Sequence, residues 1–426
     1  MQAVIICGGK GLRLKSITKN KPKALAKFNK IENLACQINM LKKNGVNNFL
    51  FLVNNFEKEI SLFLKKKYHK KFIICKDKNY FGTGGAIYSA KKRLHNNFLI
   101  VYSDLYFNFN FKNFVKYSKK KKAILSCVVH ANDHPIDSDT VFLDKKFYIT
   151  QINKKTSKKF KMNNAISGIY FAQKKFLNLY NFKKNRNCDL VNDIFPKLIK
   201  KGSKIFAYKS IEYIKDFGTP DRFKRVSKDV RLNKIKNLNY QSKTRAVFID
   251  RDGVINKESN KIKTYKNFKI LPKVNLAIKK MNLNKIPCFI VSNQSGLARK
   301  TIALNEIFKI IYKLDKYLSD SKAYVDDFLI CPHYEKIKFN NNKINFFSDF
   351  RKPNPGMIFT LAKRYNIDLK KSFMIGDTDI DVLTVKRAGL KTILVKSPKI
   401  KDYVFDIRPD YRVKDLNSAV NIVLRK

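Results

Sequence analysis

The feature that most constrains this chain is a recurring unit, a short apolar run that stops abruptly on glycine, serine or aspartate. Ala3–Cys7 runs into Gly8-Gly9-Lys10-Gly11-Leu12-Arg13-Leu14, and Phe98–Tyr102 into Ser103-Asp104. Ala246–Ile249 runs into Asp250-Arg251-Asp252-Gly253, Pro287–Val291 into Ser292-Asn293-Gln294, and Phe373–Ile375 into Gly376-Asp377. Runs this short and apolar read as buried strands. Between them lie helical patterns, such as Glu32–Asn44 with Leu34, Ile38 and Leu41 on one face and Gly45 as its stop. This alternation predicts parallel α/β sheets, in which ligands bind at the carboxyl ends of the strands. The polar residues closing each run therefore stand where chemistry is done.

At 426 residues and 44% hydrophobic content the chain is long enough for two cores. Ser227–Arg245 is polar and basic and lies between two complete sets of motifs, so it marks the boundary. The expected domains are 1–232 and 244–426. No apolar run is long enough to span a bilayer, and Met1–Gly11 lacks the basic start and apolar core of a signal peptide. A cytoplasmic location without a membrane partner is expected. The seven cysteines include no Cys-x-x-Cys pair, which points to reduced thiols used mostly as small core residues. Lys and Arg number 90 against 33 Asp and Glu, for a formal net charge of +57. The basic residues are spread along the whole chain rather than gathered in one arm or face. We therefore expect no specific nucleic-acid partner, but a positive field that attracts phosphorylated substrates.

In the first half, Gly8, Gly9 and Gly11 let backbone approach phosphates closely, and Arg13 adds charge-assisted bonds to their oxygens. The spacing is neither the dinucleotide G-x-G-x-x-G nor the P-loop. Pro22-Lys23 follows, its lysine within reach of the same phosphates. Tyr80–Ala86 is a second glycine-rich loop containing Gly84, readable as a nucleotide contact or as a tight turn. Asp104 closes one strand, and Asp216 precedes Gly218-Thr219-Pro220. Each aspartate alone also reads as a surface turn, whereas as a pair they can hold one Mg2+ against a nucleoside triphosphate.

In that order these residues resemble the sugar-1-phosphate nucleotidyltransferase family, over about Met1–Val230. The resemblance implies a Rossmann-like mixed sheet of the GT-A type. It also implies in-line attack of a sugar 1-phosphate on the α-phosphorus of a nucleoside triphosphate, with pyrophosphate leaving. Arg13 and Lys23 would neutralise phosphates, Asp104 and Asp216 hold Mg2+, and Gly8, Gly9, Gly11 and Gly84 line the nucleotide site. Asn164 and Gly168, in Asn-Ala-Ile-Ser-Gly-Ile-Tyr, would touch the sugar. Val191 stands where relatives often carry an acid.

In the second half, Asp250 and Asp252 sit one residue apart at a strand end, a placement that reads equally as a turn or as a metal site with a carboxylate nucleophile. Ser292 and Asn293 offer a hydroxyl and an amide for phosphoryl oxygens, Arg351-Lys352 precedes two prolines, and Asp377 closes a third acidic strand tip. The ordered set resolves the ambiguity toward function. It resembles the haloacid-dehalogenase-like phosphatases, in the branch of the heptose 1,7-bisphosphate and histidinol phosphatases, which implies a parallel sheet without a large cap. The resemblance makes Asp250 the nucleophile and Asp252 the acid/base. Ser292 and Lys352 would bind the phosphoryl group, with Asn293 and Arg351 beside the substrate, and Mg2+ would lie on Asp250, Asp377 and the Asp252 carbonyl. That branch also carries a zinc loop. Here Cys331 and His333 remain, but the later cysteine pair is Ser348-Asp349-Phe350, so zinc is not expected.

Two phosphate-handling halves suggest consecutive steps on one metabolite. The expectation is 7-phosphate removal from a heptose 1,7-bisphosphate, then guanylyl transfer from GTP to heptose 1-phosphate. Another sugar and base beside a histidinol-phosphate or other small phosphomonoester phosphatase is the alternative, and a non-catalytic polyanion-binding protein the third.

Overall fold

The structure is a computed structural model that describes residues 1–19, 21–68, 72–76, 80–155, 162–238, 241–257, 263–334, 339–340, 343–344, 348–396 and 407–426. The chain divides into two compact units: Met1–His130, Ile136–Lys159 and Asn164–Asn239 form the first, and Ala131–Pro135, Phe160–Asn163 and Tyr240–Lys426 the second.

The first unit is built on a nine-stranded mixed sheet. Its strands are β1 (Gln2–Ile6), β2 (Asn48–Val53), β3 (Ile73–Lys76), β4 (Asn97–Tyr102), β6 (Leu125–His130), β7 (Thr140–Leu143), β8 (Ile149–Asn153), β9 (Ala165–Gln173) and β10 (Ile205–Lys209), while β5 (Leu105–Asn108) and β11 (Tyr213–Asp216) form a separate antiparallel pair. The order runs β8-β7-β9-β4-β1-β2-β3, with β6 and β10 continuing from β9. β1 lies parallel between β2 and β4, with Val4 opposite both Leu50 and Ile100. Alternate residues of these strands serve different cores. Val4, Leu50, Leu52, Phe98 and Ile100 face one cluster, while Ala3, Ile5, Phe51, Leu99 and Val101 face another. Burial on both faces is why these strands read as unbroken apolar runs. The helix expected after Glu32 spans Asn33–Lys43 and buries Leu34, Ile38 and Leu41 in the second cluster.

The second unit carries a six-stranded, all-parallel sheet of β12 (Val247–Ile249), β13 (Cys288–Asn293), β14 (Asp327–Cys331), β15 (Phe373–Gly376), β16 (Lys391–Val395) and β17 (Tyr411–Val413). The order is β14-β13-β12-β15-β16-β17, so β12 lies in the middle with β13 and β15 at its sides. Ile249 is level with Ile290 and with Ile375. This register brings the carboxyl ends of three neighbouring strands together, and with them Asp250, Ser292 and Asp377. The α/β reading holds in both units, mixed in the first and all-parallel in the second. No described helix is long and apolar enough to cross a membrane.

Candidate active sites

In the second unit the sheet delivers a compact charged centre. Asp250 follows β12 and is 9% exposed, and Asp377 follows β15 and is 1% exposed. Oxygens of Asp250, Asp377 and Asp381 lie within 4.8 Å of one another. Lys352, itself buried, places Nζ 2.9 Å from Asp250 Oδ1 and 2.6 Å from Asp381 Oδ1. The Arg251 amide also donates to Asp250 Oδ1, at 2.7 Å. Both bonds fall on one oxygen, Oδ1. Burial, together with the charges of Asp381 and Asp252 and against the pull of Lys352, pushes the Asp250 carboxyl up to about 7. Burial would depress the Lys352 ammonium, but Asp250 and Asp381 outweigh it and hold it above its ordinary value.

Asp252 lives in a different environment. Arg251 Nη2 donates to both its oxygens, at 2.9 and 2.8 Å, Asn256 Nδ2 to Oδ1 at 2.9 Å, and Gln294 Nε2 to Oδ2 at 2.9 Å. Burial opposes its charge, but Arg251 and these donors hold the carboxyl below the usual carboxylate range. Two carboxylates one residue apart are thus pushed in opposite directions, the pattern that separates nucleophile from acid/base. The side chain of Asp252 lies outside the cluster of three. Ser292, 1% exposed, accepts from Gln294 Nε2 at 2.8 Å.

Asp381 is the member that sequence reading missed. It is the third residue of the helix Asp379–Ala388 and closes a capping box with Thr378, whose hydroxyl donates to Asp381 Oδ2 at 2.7 Å. The Thr-x-x-Asp spacing was the available signal. Asn293, expected at the substrate, instead clamps the Lys352 backbone: its Oδ1 accepts from the Lys352 amide and its Nδ2 donates to the Lys352 carbonyl, both at 3.0 Å. Arg351 Nη1 donates to the His333 carbonyl at 2.8 Å, and His333 Nδ1 lies 2.5 Å from Ser348 Oγ. Ser348 occupies the changed part of the expected zinc loop and meets that histidine by a hydrogen bond.

All three donors of the buried cluster are carboxylates, which suits a hard cation such as Mg2+ rather than zinc. Gly253 tests the fit further, since its φ is +82° and a Cβ there would lie 1.9 Å from Asp377 Oδ2. The backbone at Gly253 thus leaves room for that carboxylate and nothing more.

In the first unit a cleft of about 490 Å³ is lined by Arg13, Asp104, Gly168, Asp216, Arg222 and further residues. The pairing of β5 with β11 sets Asp216 opposite Leu105, next to Asp104. A Cβ at Gly218 would lie 3.6 Å from Arg13 Nη2, 3.7 Å from Asp216 Oδ1 and 3.8 Å from Asp104 Oδ2. The sequence-predicted Arg13, Asp104 and Asp216 therefore converge around a space that a glycine keeps open, and two carboxylates there are the kind of oxygen donor a divalent cation takes. Lys23 Nζ is 3.5 Å from Asp104 Oδ2. Beneath this turn, Asn33 Nδ2 donates to the carbonyls of Ser103 and Leu105 at 2.9 and 3.0 Å, and Gln37 Nε2 to those of Tyr102 and Leu105 at 3.0 and 2.7 Å. Two buried amides from one helix thus fix the backbone that carries Asp104.

The remaining expected contacts divide. Gly11 has φ +72° and packs where a Cβ would lie 3.2 Å from Lys23 Cγ, and the Gly8 carbonyl accepts from Asn55 Nδ2 at 3.1 Å, while Gly9 is exposed. Gly84 is buried, its amide donating to the Cys188 carbonyl at 2.8 Å, and a Cβ there would lie 2.6 Å from Ile194 Cδ1. It serves packing and does not line the cleft. Asn164 exchanges backbone and side-chain hydrogen bonds with Val141, whereas Gly168 and Val191 line the cleft. Sequence reading missed Asp137, Asp139, Lys155, Asp189 and Arg222, all in the lining. Lys155 was hidden in a basic run, and Arg222 in the first turn of a helix.

Residues 2–232 match the nucleotidyl transferase family, and residues 349–419 match the HAD-hydrolase-like family. The D-glycero-beta-D-manno-heptose-1,7-bisphosphate 7-phosphatase of Rhodopseudomonas palustris is 34% identical over 145 residues, 34% of this chain and 79% of that protein. A D-glycero-alpha-D-manno-heptose-1,7-bisphosphate 7-phosphatase of Photorhabdus laumondii is 35% identical over 162 residues, 37% of this chain and 85% of that protein. Among solved structures, HddC from Yersinia pseudotuberculosis complexed with GMP-PN is 23% identical, covering 54% of this chain and 98% of that one with a TM-score of 0.46.

Two predictions follow from the geometry of the second unit. Gly253→Ala forces a Cβ onto the Asp377 carboxylate and demands a strained φ, so Mn2+ binding by this cluster, measured by isothermal titration, falls at least tenfold while the circular dichroism spectrum is retained. Secondly, a proton competes with the metal for Asp250. Binding below pH 7 releases a proton, so affinity rises about tenfold per pH unit from pH 5.5 and levels off above about pH 7. Titrations in two buffers of different ionisation enthalpy read this release directly. A flat profile across that range contradicts it.

Proposed function

We propose a two-step activity for a chain that belongs to the nucleotidyl transferase family through residues 2–232 and, in its C-terminal half, to the HAD-like hydrolases. Both halves are enzymes. The C-terminal half removes the 7-phosphate of a heptose 1,7-bisphosphate, and the N-terminal half transfers a guanylyl group from GTP to the resulting heptose 1-phosphate. The functional domains are 1–232 and 244–426. The observation that carries the reading is the buried set of Asp250, Lys352, Asp377 and Asp381, with Asp252 held apart from it, in a half whose relatives are named for heptose bisphosphates. Relatives named for either anomer match at 34% and 35% identity, so the proposal specifies the heptose and no anomer.

In the C-terminal half Asp250 Oδ2 attacks phosphorus, forming the aspartyl-phosphate as the bond to the sugar oxygen breaks. Asp252 delivers a proton to that oxygen. It then takes one from the water that cleaves the aspartyl-phosphate, so inorganic phosphate leaves and Asp250 is restored. Lys352 and Ser292 hold phosphoryl oxygens, and Lys352 keeps Asp250 in place throughout. Asp250, Asp377 and Asp381 would hold Mg2+, which would supply charge neutralisation to the phosphoryl group. In the N-terminal half an oxygen of the sugar 1-phosphate attacks the α-phosphorus of GTP and pyrophosphate leaves. Arg13 and Lys23 neutralise phosphate charge, and Asp104 and Asp216 would hold Mg2+. Positioning and electrostatics carry that step, with no covalent enzyme intermediate.

The test is incubation with Mg2+, heptose 1,7-bisphosphate and each nucleoside triphosphate in turn, following phosphate, pyrophosphate and nucleotide-sugar. Phosphate appears in every incubation, and pyrophosphate and nucleotide-sugar chiefly with GTP. Phosphate without any nucleotide-sugar would sink the coupled reading. Asp250→Asn lowers phosphate release at least a thousandfold, yet leaves guanylyl transfer to pure heptose 1-phosphate unchanged.

A further inference from the structure

The cleft of the first unit contains a cation that the proposed chemistry has not yet used. Arg222 Nη1 is 2.8 Å from Asp216 Oδ1, and its Nη2 is 3.6 Å from Asp137 Oδ2. Asp216 Oδ1 is also the oxygen that faces the space beside Gly218, opposite Asp104 Oδ2. One oxygen atom is thus held by the guanidinium and also borders the space shared with Asp104, where the proposed chemistry would put its divalent cation. Arg222 is not a swinging surface side chain. It lies in the first turn of the helix Pro220–Arg231, whose Thr219 cap accepts the Arg222 amide, and its own side chain is 20% exposed. The other carboxylate of the pair, Asp104, is engaged by Lys23 at 3.5 Å. Arg13 and Lys155 line the same cleft.

We propose that Arg222 is a positioning residue that competes with the divalent cation for Asp216 Oδ1, so that the N-terminal site takes its metal poorly alone and well together with a nucleoside triphosphate. This rests on the nucleotidyl-transfer reading and adds to it an order of assembly. A divalent cation arriving alone displaces the guanidinium from Asp216 and leaves it beside Lys23, Arg13 and the metal, all of one sign. A triphosphate brings the anions those cations lack. Asp137 keeps one hold on the guanidinium while Asp216 is given up. The coupling is reciprocal, so metal strengthens nucleotide binding by the same factor as nucleotide strengthens metal binding.

The probe is Mn2+, followed by the electron paramagnetic resonance signal of the free ion, in the full chain carrying Asp377→Asn to disable the other metal cluster. Without nucleotide, Arg222→Met tightens Mn2+ binding about tenfold, equivalent to about 1.4 kcal/mol. Arg222→Lys, which keeps the charge and loses the fork, falls between Met and the natural residue. Asp216→Asn loses the binding. A purely structural role for Arg222 predicts the opposite sign, since loosening Asp216 weakens the site. Unchanged or weaker Mn2+ binding in both Arg222 variants overturns the proposal, as does binding that survives Asp216→Asn. GTP binding by the unmodified chain is measured alongside. Its complete absence removes the nucleotidyl-transfer reading itself, whereas GTP binding with an Arg222-independent Mn2+ affinity removes only the competition.

Discussion

The second unit depends on one buried cation. Lys352 lies within 2.9 Å of Asp250 and 2.6 Å of Asp381, and all three side chains are almost wholly buried. Burying a single charge costs several kcal/mol, and a cation shared between two carboxylates recovers that cost only with close geometry. The surroundings are built to supply it. Asn293 fixes the lysine backbone from both sides, Thr378 fixes Asp381, and a Cβ at Gly376 would lie 2.3 Å from the Asp381 Cβ, so the strand end accepts that contact only as glycine. The sheet register does the rest, because β12 and β15 run parallel with Ile249 level with Ile375, which brings Asp250 and Asp377 together, while β13 adds Ser292 beside them.

The first unit solves the same problem with less burial. Asp104 and Asp216 are each about a third exposed at the side chain, and each already has a cation within 3.5 Å. Pairs in such a position interact weakly and exchange partners at little cost. That suits the proposed nucleotidyl transfer, in which substrates would bring several phosphates and the cations would move from carboxylate to phosphate. The rigid part lies underneath, where Asn33 and Gln37 hold the carbonyls on either side of Asp104.

Much of this was legible because parallel strands buried on both faces leave an unmistakable trace, apolar residues followed at once by polar ones. Both sheet types and the convergence of Asp104 with Asp216 followed from that trace together with the family resemblance, and so did that of Asp250 with Lys352 and Asp377. What the sequence hid had physical reasons. Asp381 sits in a first helical turn, where acidic residues are common for reasons of capping and the helix dipole, so its presence carries little information, and Arg222 was one of several basic residues along Pro220–Arg231. Lys155 was lost among neighbouring lysines. The loop Tyr80–Ala86 read as a nucleotide contact or as a tight turn, and at its Gly84 a Cβ would lie 2.6 Å from Ile194 Cδ1, a close approach of packed side chains. A glycine-rich loop signals close approach without saying what approaches.

The contrast between Asp250 and Asp252 bears on how the proposed phosphatase reaction obtains its proton. An alkoxide from a primary alcohol is a poor leaving group and requires a proton as the phosphorus–oxygen bond breaks, which is the task assigned to Asp252. Yet Asp252 is held ionised by the two-point grip of Arg251 and by two amides. The proton therefore has to be acquired after substrate arrives. A phosphate beside Asp252 brings negative charge that raises its pKa, and it offers Arg251 a competing anion. On the proposed phosphatase reading, substrate binding would prepare the acid that its own cleavage needs. With no phosphate bound, the same grip keeps Asp252 from taking up the proton that its acid role requires.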